Sequence, residues 1–178
     1  NWFTYPKMYS DFVANARDNS TIVEVGSWKG KSTAYLGVEV VNSGKKIKVF
    51  AVDTWKGSTA EAAHQNDKYV KEDKLYDLFC SNIAPINEHG PIIKPFQCCS
   101  VEAANYFTDR SLDVVFIDAS HEYQDVCDDI AAWLPKVKSG GILAGHDYYG
   151  WKEVRRAVDD TLKGAKGTNE DCWIYQVS

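Results

Sequence analysis

The sequence predicts an α/β fold, a doubly wound and mostly parallel sheet with helices on both faces. Three observations carry this. Apolar runs alternate with helical segments along the chain: Ile22-Val23-Glu24-Val25, Val49-Phe50-Ala51-Val52 and Leu112-Asp113-Val114-Val115-Phe116-Ile117 are each followed by residues of helical spacing. The first run breaks into a glycine-bearing turn, Gly26-Ser27-Trp28-Lys29-Gly30, and then into a helix-like segment from Lys31 to Leu36. Glycine permits positive φ and close approach of a ligand, and free N–H groups open the following helix. Finally, Gly26, Asp53, Asp118 and Asp147 each follow an apolar run, so all four gather on the carboxyl edge of the sheet, where such folds bind ligands.

Between the second and third units runs a polar segment, Gly57 to about Asn82, interrupted by Tyr69, Leu75, Tyr76, Leu78 and Phe79. It reads as helical and as a cover for the site. Ile92 to Gln97 reads as a third strand, with Pro95 arguing against a central position. Ser100 is placed to cap a short helix through Phe107. Leu112 to Ile117 is apolar apart from one acid, as a strand covered on both faces should be. From Glu122 the residues Tyr123, Val126, Cys127, Ile130, Leu134 and Val137 recur at helical spacing, and Ser139-Gly140-Gly141 is expected to stop that helix. Ile142-Leu143-Ala144 begins a fifth strand ending at His146-Asp147. A last helix covers Trp151 to Leu162, and Cys172 to Val177 closes the chain as an antiparallel strand.

At 178 residues and 44% hydrophobic the chain is one domain with enough length to bury a core. Residue 1 is Asn rather than Met, which leaves room for a domain excised from a longer protein. A net charge of −5 offers no general attraction to phosphate backbones, so nucleic acid is a poor partner. No apolar stretch approaches a membrane span, and no secretory pattern opens the chain. Five cysteines, Cys80, Cys98, Cys99, Cys127 and Cys172, show no C-x-x-C spacing. They read as reduced thiols of a cytoplasmic protein, small buried hydrophobes rather than nucleophiles.

The spacing of the first turn identifies the cofactor. A dinucleotide fingerprint needs glycine two residues after Gly26, and Trp28 stands there. The pattern is instead Glu24-x-Gly26-x-x-x-Gly30, followed by an acid, Asp53, at the tip of the second strand. In these motifs the chain resembles the class I, Rossmann-like S-adenosylmethionine-dependent methyltransferases. The later runs sharpen the likeness: Phe116-Ile117-Asp118-Ala119-Ser120-His121-Glu122-Tyr123, Trp133-Leu134-Pro135, and Ser139 through Tyr148. These are similar to the metal-dependent sugar O-methyltransferase subgroup (macrocin O-methyltransferase-like, cephalosporin hydroxylase-like). The resemblance implies a methyl group transferred from S-adenosylmethionine to a hydroxyl of a carbohydrate or small-molecule acceptor. It implies Asp118 and Asp147 as ligands of a divalent Mg or Mn ion, and His121 as general base. Relatives carry an acid at position 146, where this chain has His146, the third residue of the expected metal set.

The chemistry needs such groups. The cofactor's methyl is already activated, so the protein must align a hydroxyl and remove its proton. A cation held by carboxylates lowers the hydroxyl's pKa, and an imidazole accepts the proton near neutral pH. By the same resemblance Glu24 lies near the methionyl end of the cofactor and Asp53 on its ribose; Gly26, Ser27, Gly30 and Asp118 are further expected cofactor contacts, and Trp55 and Ser100 are placed to meet the adenine. Core packing for Trp55 and helix capping for Ser100 are the competing readings. Tyr148, Tyr149 and Trp151 form either a platform for a sugar ring or a packed turn. His64 and His89 read as solvated loop residues, and the acidic run Asp125 to Asp129 as a solvated helix face. A non-catalytic cofactor-binding module and a catechol-type methyltransferase are the alternative functions.

Overall fold

A computed structural model describes residues 2–58 and 61–178. Seven strands form one sheet: β1 (Thr21–Val25), β2 (Lys48–Asp53), β3 (Ile93–Gln97), β4 (Leu112–Ile117), β5 (Val137–Gly145), β6 (Lys166–Gly167) and β7 (Trp173–Gln176), in the order β3-β2-β1-β4-β5-β7-β6. The first five are parallel, and β7 runs antiparallel to both β5 and β6. Pro95 lies in β3, an edge strand, where its missing N–H breaks no ladder.

Helices cover both faces. On one side α1 (Pro6–Asn15), α2 (Lys31–Ser43) and α5 (Leu75–Asn87) bury Tyr9, Phe12, Leu36 and Phe79 against the sheet. On the other, α6 (Ser100–Ala104), α7 (Tyr123–Trp133) and α8 (Lys152–Thr161) bury Ala103, Ile130, Trp133 and Val158. Strand β1 carries the pattern of a central strand, with Ile22 through Val25 all buried.

Several elements differ from the sequence expectation. The Gly57 to Asn82 stretch holds two one-turn helices, α3 (Ala62–Gln65) and α4 (Lys68–Lys71), before α5 begins; residues 59 and 60 lie outside the described residues. Cys99, not Ser100, is the N-cap of α6, which ends at Ala104 rather than Phe107. Helix α7 stops at Trp133 because Pro135, two residues on, has no N–H to continue the ladder; a single 3-10 turn follows. Ser139-Gly140-Gly141 therefore terminates no helix and lies inside β5. There the register jumps, Leu112 facing Val137 and Val114 facing Ile142, with Gly140 at φ 79°. A Cβ on Gly141 would lie 2.8 Å from the Asp113 carbonyl, so the irregularity needs glycine. Helix α1 was not legible as an element, although Pro6 at its first position and Met8, Tyr9, Phe12 and Val13 on one face mark it.

Candidate active site

The register carries chemistry to one edge. Val25 faces both Val52 and Ile117, and Ile117 faces Gly145, so the residues just beyond these strand ends meet. Backbone bonds continue the ladder past the strands: Gly26 N–H donates to Val52 O (2.8 Å), Asp118 N–H to Val25 O (2.7 Å) and His146 N–H to Ile117 O (3.1 Å).

The glycine turn is built from within. Gly26 has φ 87°, and a Cβ there would lie 1.9 Å from the Asp118 carbonyl oxygen, so glycine is demanded by the neighbouring strand end. Gly30, at φ 82°, is the N-cap of α2 and packs against Phe79. Asp53 holds the turn in place. Its Oδ2 accepts the N–H groups of Ser27 and Trp28, each at 2.8 Å, and its Oδ1 accepts the Trp55 N–H at 2.7 Å. Glu24 is fully buried and accepts hydrogen bonds from Tyr9 Oη (2.7 Å), Ser27 Oγ (2.8 Å) and Thr33 Oγ1. Burial pushes its pKa up, and the donors pull it back.

Two adenine candidates are otherwise engaged. Trp55 is 2% exposed, packs on Phe79 and Tyr76 at 4.6 and 4.9 Å, and donates its indole N–H to Trp28 O, which is the core reading. Ser100 Oγ accepts the Trp133 indole N–H at 2.9 Å and hydrogen bonds to the carboxylate of Asp129. Asp129 is thus buried, not part of a solvated face, and its pKa rises to about 6 because desolvation outweighs that bond.

Beyond β4 and β5 four titratable groups converge. His121 Nε2 lies 2.8 Å from Asp147 Oδ2, and its Nδ1 is 3.3 Å from Glu61 Oε1. The imidazole stacks on Trp151, centroids 4.2 Å apart and planes at 11°. Burial lowers the His121 pKa, yet Asp147 and Glu61 together leave it raised. His146 Nδ1 faces Asp147 Oδ1 (3.2 Å) and Asp118 Oδ1 (3.6 Å), while its Nε2 meets Thr4 Oγ1 at 2.9 Å. Although burial opposes it, the two carboxylates raise His146 to about 10, and the two histidines hold Asp147 far below the usual carboxylate range. Asp147 sits at φ 63°, in the left-handed region that Asp enters more readily than most side chains.

Asp118, His146 and Asp147 therefore do come together, as a cluster in which the two carboxylates flank His146 Nδ1. Among the described residues, the ligand atoms of Asp118, His121 and Asp147 lie within 4.8 Å of one another, and His146 joins such a set with Asp147 and Asp171. Two carboxylates and an imidazole suit a hard divalent cation.

Sequence reasoning missed the N-terminal contribution. Tyr5, 1% exposed, donates its phenol to Asp118 Oδ2 at 2.7 Å, and Tyr9 serves Glu24 in the same way one turn later. It also missed His64, which is not solvated: it stacks on Trp28 at 3.9 Å, accepts the Ser58 N–H at Nδ1, and lies 3.5 Å from Glu61. His89 is exposed, as read. Tyr148 is a packed turn residue bonded to Asp159, whereas Tyr149 and Trp151 are 58% and 46% exposed.

A strand order of 3-2-1-4-5-7-6, with an acid-bearing glycine turn after the central strand, defines a class I methyltransferase fold of the S-adenosylmethionine-dependent type. The chain belongs to the methyltransferase domain family, whose model matches residues 23–148. Among individual proteins it is 27% identical over 126 residues to an uncharacterized protein of Sinorhizobium fredii, covering 71% of this chain and 13% of that one. It is 25% identical over 171 residues to an uncharacterized protein of Acanthamoeba polyphaga mimivirus, covering 90% and 67%. Among solved structures, the O-methyltransferase NovP superposes with TM-score 0.68 at 15% identity over 98% of this chain and 80% of its own. A Streptococcus mutans protein in complex with SAH gives 0.56 at 14%, over 94% and 93%. Among the described residues no helix is long and apolar enough to cross a membrane.

Proposed function

We propose that the chain transfers the methyl group of S-adenosylmethionine to a hydroxyl of a carbohydrate acceptor, with His121 as general base. The observation that carries this is the His121–Asp147 pair at the carboxyl edge, on the same edge as the Glu24–Gly30 turn. The likeness to NovP, an O-methyltransferase, and to a fold solved with SAH supports the reaction class.

When bound, the cofactor supplies a methyl group already activated as a sulfonium. The residues of the chain have three tasks. The turn from Gly26 to Gly30 receives the methionyl end, with Ser27 and Glu24 below it and the clamp of Asp53 fixing its shape beside the ribose position. Ser100 and Trp55 bound the adenine end through their packing rather than by an exposed face. His121 moves the proton. Asp147 meets Nε2 and orients the ring; with the proton of the neutral imidazole on Nε2, the Nδ1 lone pair takes the acceptor's proton, and because Asp147 and Glu61 raise the ring's pKa this neutral form gains as pH rises. Trp151, stacked on the opposite side, holds the ring plane and with Tyr149 offers exposed aromatic surface to a sugar face. Asp118 and Asp147 would hold a Mg or Mn ion beside His121, whose lone pair stays free for the proton; the ion would supply Lewis acidity to the acceptor hydroxyl.

The test is calorimetric titration with S-adenosylmethionine and S-adenosylhomocysteine, followed by methyl transfer to a panel of sugars and catechols. Saturable binding of both and turnover on sugars is expected. His121→Ala should keep cofactor affinity while slowing transfer roughly 10²-fold or more. Cofactor binding without turnover on any acceptor would make the chain a binding module, and turnover on catechols alone would replace the acceptor class.

A further inference from the structure

Cys98 and Cys99 follow β3 directly, and Glu102 stands in the first turn of α6. The expectation of buried cysteines fails here: Cys172 is buried, but Cys98 is half-buried and Cys99 and Glu102 are exposed. Thiols are among the side chains most often buried, so a vicinal pair at the surface calls for a reason. Their geometry supplies one. One donor atom from each of Cys98, Cys99 and Glu102 lies within 4.8 Å of the other two, and Cys99 Sγ is 3.7 Å from Glu102 Oε2. In a tetrahedral site with Zn–S of about 2.3 Å and Zn–O of about 2.0–2.2 Å, the sulfur-to-oxygen edge is about 3.5–3.7 Å. Cys99 and Glu102 already stand that far apart.

The backbone holds them so. Cys98 N–H donates to Asp53 O at 3.0 Å, and Cys99, extended at φ −70° and ψ 152°, accepts the Ala103 N–H at 2.9 Å, which launches α6 with Glu102 one turn on. The other candidate metal groups among the described residues are built from Asp and His alone.

We propose that Cys98, Cys99 and Glu102 form a binding site for a thiophilic divalent cation of the zinc type, with its fourth position open to water. On binding, both thiols release protons to solvent and two sulfur–metal bonds form, without any change of oxidation state. Ligand softness separates this site from the one at Asp118, which favours hard cations. The proposal is independent of the methyl-transfer reading.

The experiment titrates the full chain, kept reduced with a phosphine, with cadmium chloride and follows cadmium–thiolate charge-transfer absorption, to which oxygen and imidazole donors do not contribute. One equivalent should saturate the band, and zinc should displace it. Cys98→Ser and Cys99→Ser should each abolish it, Glu102→Gln should weaken affinity roughly 10-fold or more, and Cys80→Ser and Cys127→Ser should leave it unchanged. Absence of a saturable band, its survival in Cys99→Ser, or its loss in Cys127→Ser would overturn the site.

Discussion

Asp129 tests the electrostatics of the fold most directly. It is 5% exposed, and its carboxylate meets the Ser100 hydroxyl that the Trp133 indole also engages. Its pKa rises from 3.8 to about 6, so the folded state binds more protons than the unfolded one between those values. Stability attributable to this group therefore falls as pH rises from about 4 to 6, and the full penalty stands above that. Two units correspond to about 3 kcal/mol at pH 8, shrinking to about 1 kcal/mol at pH 4.5. Asp129→Asn keeps an acceptor for Ser100 and removes the charge, and with it the repulsion from Asp125 and Asp128. The variant should be more stable than the parent by up to about 3 kcal/mol at pH 8, a rise in Tm of about 6–12 °C for a chain of this size. At pH 4.5 most of that gain should vanish. Urea denaturation at the two pH values measures both. An Asp129→Asn protein less stable than the parent at pH 8, or equally stabilised at both pH values, would refute the assignment.

Three further outcomes follow from the same contacts. Gly26→Ala forces a Cβ onto the Asp118 carbonyl at a positive φ, and should cost about 3–5 kcal/mol or prevent folding, read by circular dichroism melting. Tyr5→Phe leaves Asp118 short of one donor; it should lower stability by about 1–2 kcal/mol and lower kcat by more than the loss of folded protein accounts for, with the ratio measured at a temperature where both proteins are folded. Trp151→Ala should leave the unfolding free energy within about 1.5 kcal/mol of the parent and act on the acceptor's KM and on kcat, an unchanged KM removing the aromatic platform from the proposal.

The parallel sheet was legible because its strands are short apolar runs ending in Gly26, Asp53, Asp118 and Asp147, and one rule about strand ends puts those residues together. What escaped depends on partners remote in sequence. Tyr5 and Tyr9 look like ordinary aromatics until α1 packs over β1 and β4, 15 and 113 residues away from the carboxylates they serve. Asp129 reads as one more acid in a run of acids, and only the position of Ser100 shows that it points inward. Ser139-Gly140-Gly141 carries a helix-stop signal, but Pro135 had already ended the helix, leaving the glycines free to shape β5. Asp53 was read as a ribose partner from its place at a strand tip. The turn amides it holds leave no trace in the sequence, because the backbone N–H groups of Ser27 and Trp28 are the same whatever side chains they carry.

The phenols of Tyr5, the N-cap of α1, and of Tyr9, in its first turn, each donate a hydrogen bond to a different carboxylate of the sheet edge. The seating of one ten-residue helix and its cap thus bears on two carboxylates of the sheet edge at once.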